Sequence, residues 1–253
     1  MRQYASGKAG EEAMKIHRQR AANLFLAYAT LFEKDYNALQ AEHENILAGM
    51  DWAYAAKEWE MVRSFASSTD FYLRTRGYWI EDKIRLEQAT KAYENLGDKS
   101  GVAASLHNLG ILAQATGEVA EARRLYGESL KIAQELGDKS GVARSLHQLG
   151  ILAQNTGEVA EARRLYGESL KIKQELGDKA GVATSIGQLG RVDEVEEDYF
   201  SALDRYLLAL SILKELNDPR SRIVESWISG LREKMGEVAF KKAFEDIRRR
   251  HGA

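Results

Sequence analysis

The sequence predicts an all-α fold, an α-α superhelix in which antiparallel helix pairs stack as a solenoid, and three observations carry the prediction. Residues 101–140 and 141–180 are nearly the same forty residues written twice, identical at 35 of 40 positions. A fixed period of this length belongs to chains whose units bury their apolar faces only by stacking on one another. Inside each period the large apolar residues recur at spacings of three and four, as on a helix with one buried face. Proline occurs once, at Pro219, so long helices are not interrupted.

Residues 1–60 read as an N-terminal helical adaptor leading into four 40-residue units, 61–100, 101–140, 141–180 and 181–220. The first unit keeps Gly77 where the second has Gly117, and closes in register on Leu96, Gly97, Asp98, Lys99 and Ser100. In the second unit Asp98 suits the N-cap of a helix running to about Thr116, with Val102, Leu106, Leu109 and Ala113 on its apolar face. Gly117 ends that helix, because glycine accepts the left-handed conformation that closes a helix. A second helix runs from about Glu118 to Leu136 with Ala122, Leu125, Tyr126 and Leu130 inward, and Gly137 stops it. Gly110 and Gly127 lie inside these helices, where each costs roughly 1 kcal/mol relative to alanine. Close approach of the paired helix would account for Gly110; nothing comparable accounts for Gly127. The fourth unit is weaker, keeping Ala202 and Tyr206 at the positions of Ala162 and Tyr166. Divergent outer units are expected where the ends of a stack face water. Residues 221–253 read as two shorter capping helices with Trp227, Leu231, Phe240 and Phe244 inward.

Leu106, Leu109, Gly110, Ala113, Ala122 and Tyr126 fall at relative positions 0, 3, 4, 7, 16 and 20. That pattern, recurring in register over residues 61–220, resembles the tetratricopeptide repeat. Ser129 stands where that family usually has alanine, and Gln134 where it often has proline. The usual unit is about 34 residues; the longer second helix and the LGDKS turn resemble the 40-residue variety of Pins-type scaffolds and kinesin light chain. The N-terminal quarter, through Arg2–Ala5, Phe25–Ala27 and Glu42–Leu47, resembles the segment that follows the winged helix in STAND (NB-ARC-type) signalling ATPases. The two resemblances together imply a non-enzymatic module that binds a peptide or protein segment, acting as the sensor or partner arm of a signalling protein. They also imply a nucleotide-binding domain upstream in a parent protein. The chain itself has no GxxxxGK[ST] motif.

By analogy with tetratricopeptide arrays, the first helix of each unit lines a concave groove. The candidate partner-binding residues are then Phe71 and Arg74 in the first unit and His107, Ile111 and Gln114 in the second. Arg144, His147, Ile151, Gln154 and Asn155 follow in the third, and Arg191 and Glu194 in the fourth, where Gly187 replaces the histidine. Of the five differences between the twin units, Ala104/Arg144 and Ala115/Asn155 fall on this surface. A groove tuned along its length would give that result, and so would drift at exposed positions.

Other chemistries find little support. A net charge of −2 gives no electrostatic footprint for nucleic acid or an anionic membrane. No stretch approaches ~18 apolar residues, and the start lacks the apolar core of a signal peptide, so a cytoplasmic location is expected. There is no cysteine, hence no disulfide framework and no thiol nucleophile. His107 and His147 sit one period apart, but Gln114 and Gln154 beside them are poor zinc ligands, so a polar ladder is favoured over a metal site. Gly97–Ser100 mimics part of a phosphate loop, yet it recurs with the period and no strand precedes it, which marks a turn. Glu121/Arg124 and Glu161/Arg164 read as solvated ion pairs at helical spacing, not as acid–base groups. No cofactor is expected. Residues 52–79 hold eight aromatics, read as a core at the junction, with a ligand pocket as the alternative. The alternative function is self-assembly, with units stacking between chains as a homo-oligomer.

Overall fold

A computed structural model describes residues 2–252, with the backbone alone over residues 2–10. Met1, Ala253 and the side chains of Arg2–Ala5, which carry part of the N-terminal resemblance, lie outside the described residues. Every regular element among the described residues is an α-helix, and the fold is an all-α solenoid of consecutive helix pairs. The chain divides into two compact units, Met1–Leu125 and Tyr126–Ala253.

One backbone feature sets the spacing of the helices. Glycines 77, 97, 117, 137, 157 and 177 all have φ between 68° and 81°, and Lys57, Glu197 and Asn217 hold φ of 60°, 61° and 53° on the same twenty-residue spacing. Each such residue closes one helix in the left-handed conformation, which glycine reaches without strain, asparagine at little cost, and lysine or glutamate less readily. At Gly157 the closing bonds run from its own N–H to the Gln154 carbonyl (3.2 Å) and from the Glu158 N–H to the Ala153 carbonyl (2.8 Å). The next helix then starts at once. Asp98, Asp138 and Asp178 accept from the N–H groups of Gly101, Gly141 and Gly181 at 2.9, 3.0 and 2.8 Å. The LGDKS sequence is therefore a helix stop followed by an N-cap. Stops this short leave neighbouring helices antiparallel.

The first compact unit holds α1 (Arg2–Leu31), α2 (Tyr36–Ala41), α3 (His43–Ala55), α4 (Trp59–Arg76), α5 (Trp79–Leu96), α6 (Lys99–Ala115) and the start of α7 (Val119–Leu136). Helix α1 packs on α3 and α4, α4 on α5, and α5 on α6. Leu39, Ile46, Met50, Phe65, Tyr72 and Leu73 form the core, with Phe25 and Leu26 packed against it. Complete burial of a side chain such as Phe65 contributes roughly 1.5–3 kcal/mol. Of the eight aromatics over residues 52–79, Phe65 and Tyr72 are buried and Trp52, Tyr54, Trp59 and Tyr78 pack on the same core. Phe71 and Trp79 are instead 64% and 44% exposed. His43 ties α3 into this cluster, its Nδ1 3.0 Å from the Tyr72 hydroxyl and its ring stacked on Tyr78 at 4.3 Å.

The second unit holds the rest of α7, then α8 (Lys139–Asn155), α9 (Val159–Glu175), α10 (Lys179–Val195), α11 (Tyr199–Glu215), α12 (Ser221–Met235) and α13 (Glu237–His251). From α8 to α13 each helix packs on the next. A β-carbon on Gly150 would lie 2.7 Å from the Tyr166 ring, and one on Gly190 would lie 2.8 Å from the Tyr206 ring. These glycines stand one and two periods beyond Gly110, and they are what lets the paired helix come close. Gly127 and Gly167 face open space, with nothing within 4 Å of an added β-carbon. No contact explains them. On α12 and α13, Leu231, Ala243 and Ile247 are buried and Trp227, Phe240 and Phe244 pack beside them. The basic end of α13 is engaged locally: His251 Nε2 lies 2.8 Å from Asp204 Oδ1, and the Arg250 guanidinium sits 4.5 Å over the Phe200 ring.

Candidate functional site

In the first unit, α4 presents Phe71 to solvent with its ring 5.9 Å from Tyr36. One turn on, Arg74 is half-buried and paired with Asp70 at 2.5 Å, with its Nε 3.9 Å from Asp82. Asp82 is 1% exposed and neither of its carboxylate oxygens finds a hydrogen-bond partner. Burial, with Asp70 nearby, pushes its carboxyl up to about 7 from an ordinary 3.8 against the pull of Arg74. On α6, Ile111 and Gln114 are half-buried. His107 is only 7% exposed, so the exposed groove position inferred for it is corrected to a buried one. Its i, i+4 spacing from Ala103, together with Gly110 one turn on, puts it on the packed side of the helix. Beside this face, α5 and α6 border a cleft of about 510 Å³ lined by Trp79, Ile80, Ile84, Leu106, Leu109 and Leu125.

In the second unit the candidate residues divide into free and engaged side chains. Arg144 and Asn155 on α8 are exposed, and Ile151 is half-buried. Gln154 accepts the Tyr166 hydroxyl at 2.9 Å, so it satisfies a core tyrosine. Glu194 on α10 does the same for Tyr206 at 2.6 Å and also takes Lys234 of α12 at 2.7 Å. Arg191 lies 5.5 Å over the Trp227 ring, a cation–π stack. Trp227 also fills the space beside Gly187, where a β-carbon would meet its ring at 3.0 Å. The missing histidine at 187 thus has a reason, since the indole of α12 occupies that site. The cap thus engages Arg191, which stays exposed, and Glu194, through Trp227 and Lys234, the latter one forty-residue period beyond Glu194.

His147 is half-buried, its Nδ1 has no hydrogen-bond partner, and its ring lies 5.5 Å from that of Tyr166. Burial, reinforced by the positive charges of Lys173 and Arg220, pushes it down to about 3, so it is neutral at physiological pH. Lys173 was missed by the sequence reading because a lysine in an amphipathic helix looks like surface. It is 8% exposed, its Nζ 3.1 Å from Ser185 Oγ. The signal for it was present: the twin unit has Ala133 at this position. Asp193 is likewise buried, held by Arg163 at 2.7 Å and Arg205 at 3.2 Å. Among the described residues no three of His, Cys, Asp and Glu gather in a way that could hold a metal ion. No helix among them is long and apolar enough to cross a membrane.

The family model of the tetratricopeptide repeat matches residues 101–175 and 141–215. No curated protein matches the sequence. Among solved structures, BtubC (BKLC) from P. vanneervenii superposes with a TM-score of 0.56 at 20% identity, over 80% of this chain and 92% of that one. A putative kinesin light chain of Podosopora anserina with nearly identical TPR-like repeats gives 0.58 at 18% identity, over 78% and 97%. The apo form of RapI gives 0.63 at 14% identity, over 90% and 75%. Identities this low speak for a shared fold alone. None of these comparisons links the chain to STAND ATPases. Residues 101–215 carry tetratricopeptide repeats.

Proposed function

We propose that this chain is a non-enzymatic interaction module of the cytoplasm that holds a peptide or protein segment against first helices of its repeats, α4 and α6 in the first compact unit or α8 and α10 in the second. In this reading residues 1–60 are an adaptor, 61–100, 101–140, 141–180 and 181–220 are the four units, and 221–253 cap them. The observation that carries it is where the twin units differ. Arg144 and Asn155 replace two alanines and both stand exposed on α8, while among the buried positions the twins differ at Ala133/Lys173. A selected peptide from a random library should bind the chain and lose on the order of tenfold in affinity on Arg144→Ala, about what one exposed charge-assisted contact contributes. A panel of binders all indifferent to Arg144 and Asn155 would remove the groove.

The finer reading is that the module is the partner-binding arm of a STAND-type protein. Its support is the N-terminal likeness, of which Phe25, Leu26, Ile46 and Leu47 pack in the first core. Reading the gene upstream tests it: a nucleotide-binding domain in frame supports the reading, and an unrelated or absent neighbour sinks it. Self-assembly is a second reading, favoured by Ile223 and Val238, which are 51% and 85% exposed on α12 and α13. It requires a mass that grows with concentration in light scattering.

A further inference from the structure

The third unit differs from its twin by two extra cations, Arg144 for Ala104 and Lys173 for Ala133, and by no extra acid. Arg144 is exposed, but Lys173 is buried on α9 against α10. Its ammonium has one hydrogen bond, to the neutral Ser185 hydroxyl, and no carboxylate oxygen lies within the 4.0 Å of an ion pair. Asp178 favours the ammonium from beyond ion-pair distance, and its Oδ1 accepts the Gly181 N–H of the α10 N-cap. The surrounding groups are basic. His147 faces it from α8, and Arg220, between α11 and α12, donates to Thr184 next to Ser185 at 2.9 Å. Arg220 itself is neutralised by a two-pronged pair with Asp218 at 2.6 and 2.9 Å. Lys173 is not. An ammonium buried with no carboxylate in ion-pair reach is disfavoured, and burial lowers its pKa, so a bound carboxylate would stabilise it where the twin unit has alanine.

We infer that Lys173, with His147 beside it and Arg144 at the rim one turn earlier on α8, forms a site for the carboxylate of an acidic side chain on the bound segment. The inference rests on the peptide-binding reading and gives it a ligand class: segments rich in Asp or Glu. Arg144 attracts the acidic segment, and Lys173 takes one carboxylate out of water, where a charge-assisted bond is strongest. The twin unit, with Ala104 and Ala133, has no such site.

The twin also supplies a variant that should fold. Lys173→Ala restores the residue of the preceding unit, where Ala133 packs beside Gly141 as the Lys173 stem packs beside Gly181. The probes are a Glu-rich decapeptide, its Gln-for-Glu counterpart, sodium acetate and inorganic phosphate, each titrated into the full chain at constant ionic strength. Binding is read by calorimetry and thermal stability by melting. The expected result has two opposite signs: without ligand Lys173→Ala melts higher than wild type, yet it binds the Glu peptide at least on the order of tenfold more weakly. The Gln peptide binds neither protein well. If the Glu peptide binds wild type and Lys173→Ala equally, the carboxylate site is overturned while peptide binding stands. If acetate or phosphate stabilises only wild type and no peptide binds, the anion site stands and the peptide reading falls. If nothing binds wild type, or Lys173→Ala melts lower with unchanged binding, Lys173 is a structural residue and the inference fails.

Discussion

Asp82 stands where the next three periods have Ala122, Ala162 and Ala202, all of them fully buried. A carboxyl in that slot, held up at about 7 instead of 3.8, binds a proton in the folded chain that the unfolded chain has released. Stability therefore falls as pH rises from about 4 to about 7 and levels off above, because the folded state holds more protons through that window. Asp82→Ala should raise the melting temperature at pH 8 and do least at pH 4, with a gain of roughly 1–3 kcal/mol at the higher pH. Equal gains at both pH values would refute the account of Asp82. His147 acts in the opposite direction. Its pKa is depressed to about 3 from 6.5, so the second unit loses stability as pH falls through that interval. Chain melts followed by circular dichroism from pH 7 to pH 4 should show a steeper acid loss in wild type than in His147→Gln. At this scale the sequence was least legible: the burial of Asp82, Lys173 and Asp193 depends on partners from other helices.

At the scale of the helix, glycine positions separate into two kinds that composition alone does not distinguish. Gly150 and Gly190 sit under tyrosine rings, and a methyl group there would press within 2.7–2.8 Å of the ring. Gly167 and Gly127 sit in mid-helix with open space beside them. Gly150→Ala should destabilise by roughly 1–3 kcal/mol, the cost of overpacking a close-fitted core. Gly167→Ala should stabilise by about 0.5–1 kcal/mol, since alanine removes the helix penalty of glycine and meets nothing. Urea titrations of both variants settle the pair, and a loss at Gly167→Ala would show a contact that the fold does not display. Helix ends were legible almost to the residue. Gly117 and Gly137, and Asp98 ahead of its helix, announce stop and start in the sequence and do so in the structure. The twenty-residue beat extends to Lys57, Glu197 and Asn217, which carry no glycine to mark it. There the spacing was visible and the residue type hid it.

For the molecule as a whole, repetition made the fold readable and limited what could be read of the site. Two units alike at 35 of 40 positions specify one scaffold and leave five differences to describe its chemistry. The inferred groove separates accordingly. Phe71, Arg144 and Asn155 are exposed, whereas Gln154 and Glu194 hold core tyrosines, Arg191 stacks on Trp227, and His107 is buried. Trp227 and Lys234 stand one period beyond Gly187 and Glu194, but the shorter cap helices carry too little of the repeat pattern for their contacts with α10 to be read from the sequence. Amide chemical-shift mapping of the full chain with a library-selected peptide tests the central claim most directly. Interaction through the first helices requires the shifts to concentrate on α8 around Arg144 and Asn155, and on α4 around Phe71 for binders of the first unit. Shifts confined to the outer charged faces of α9 and α11, around Arg164 and Leu208, would contradict it.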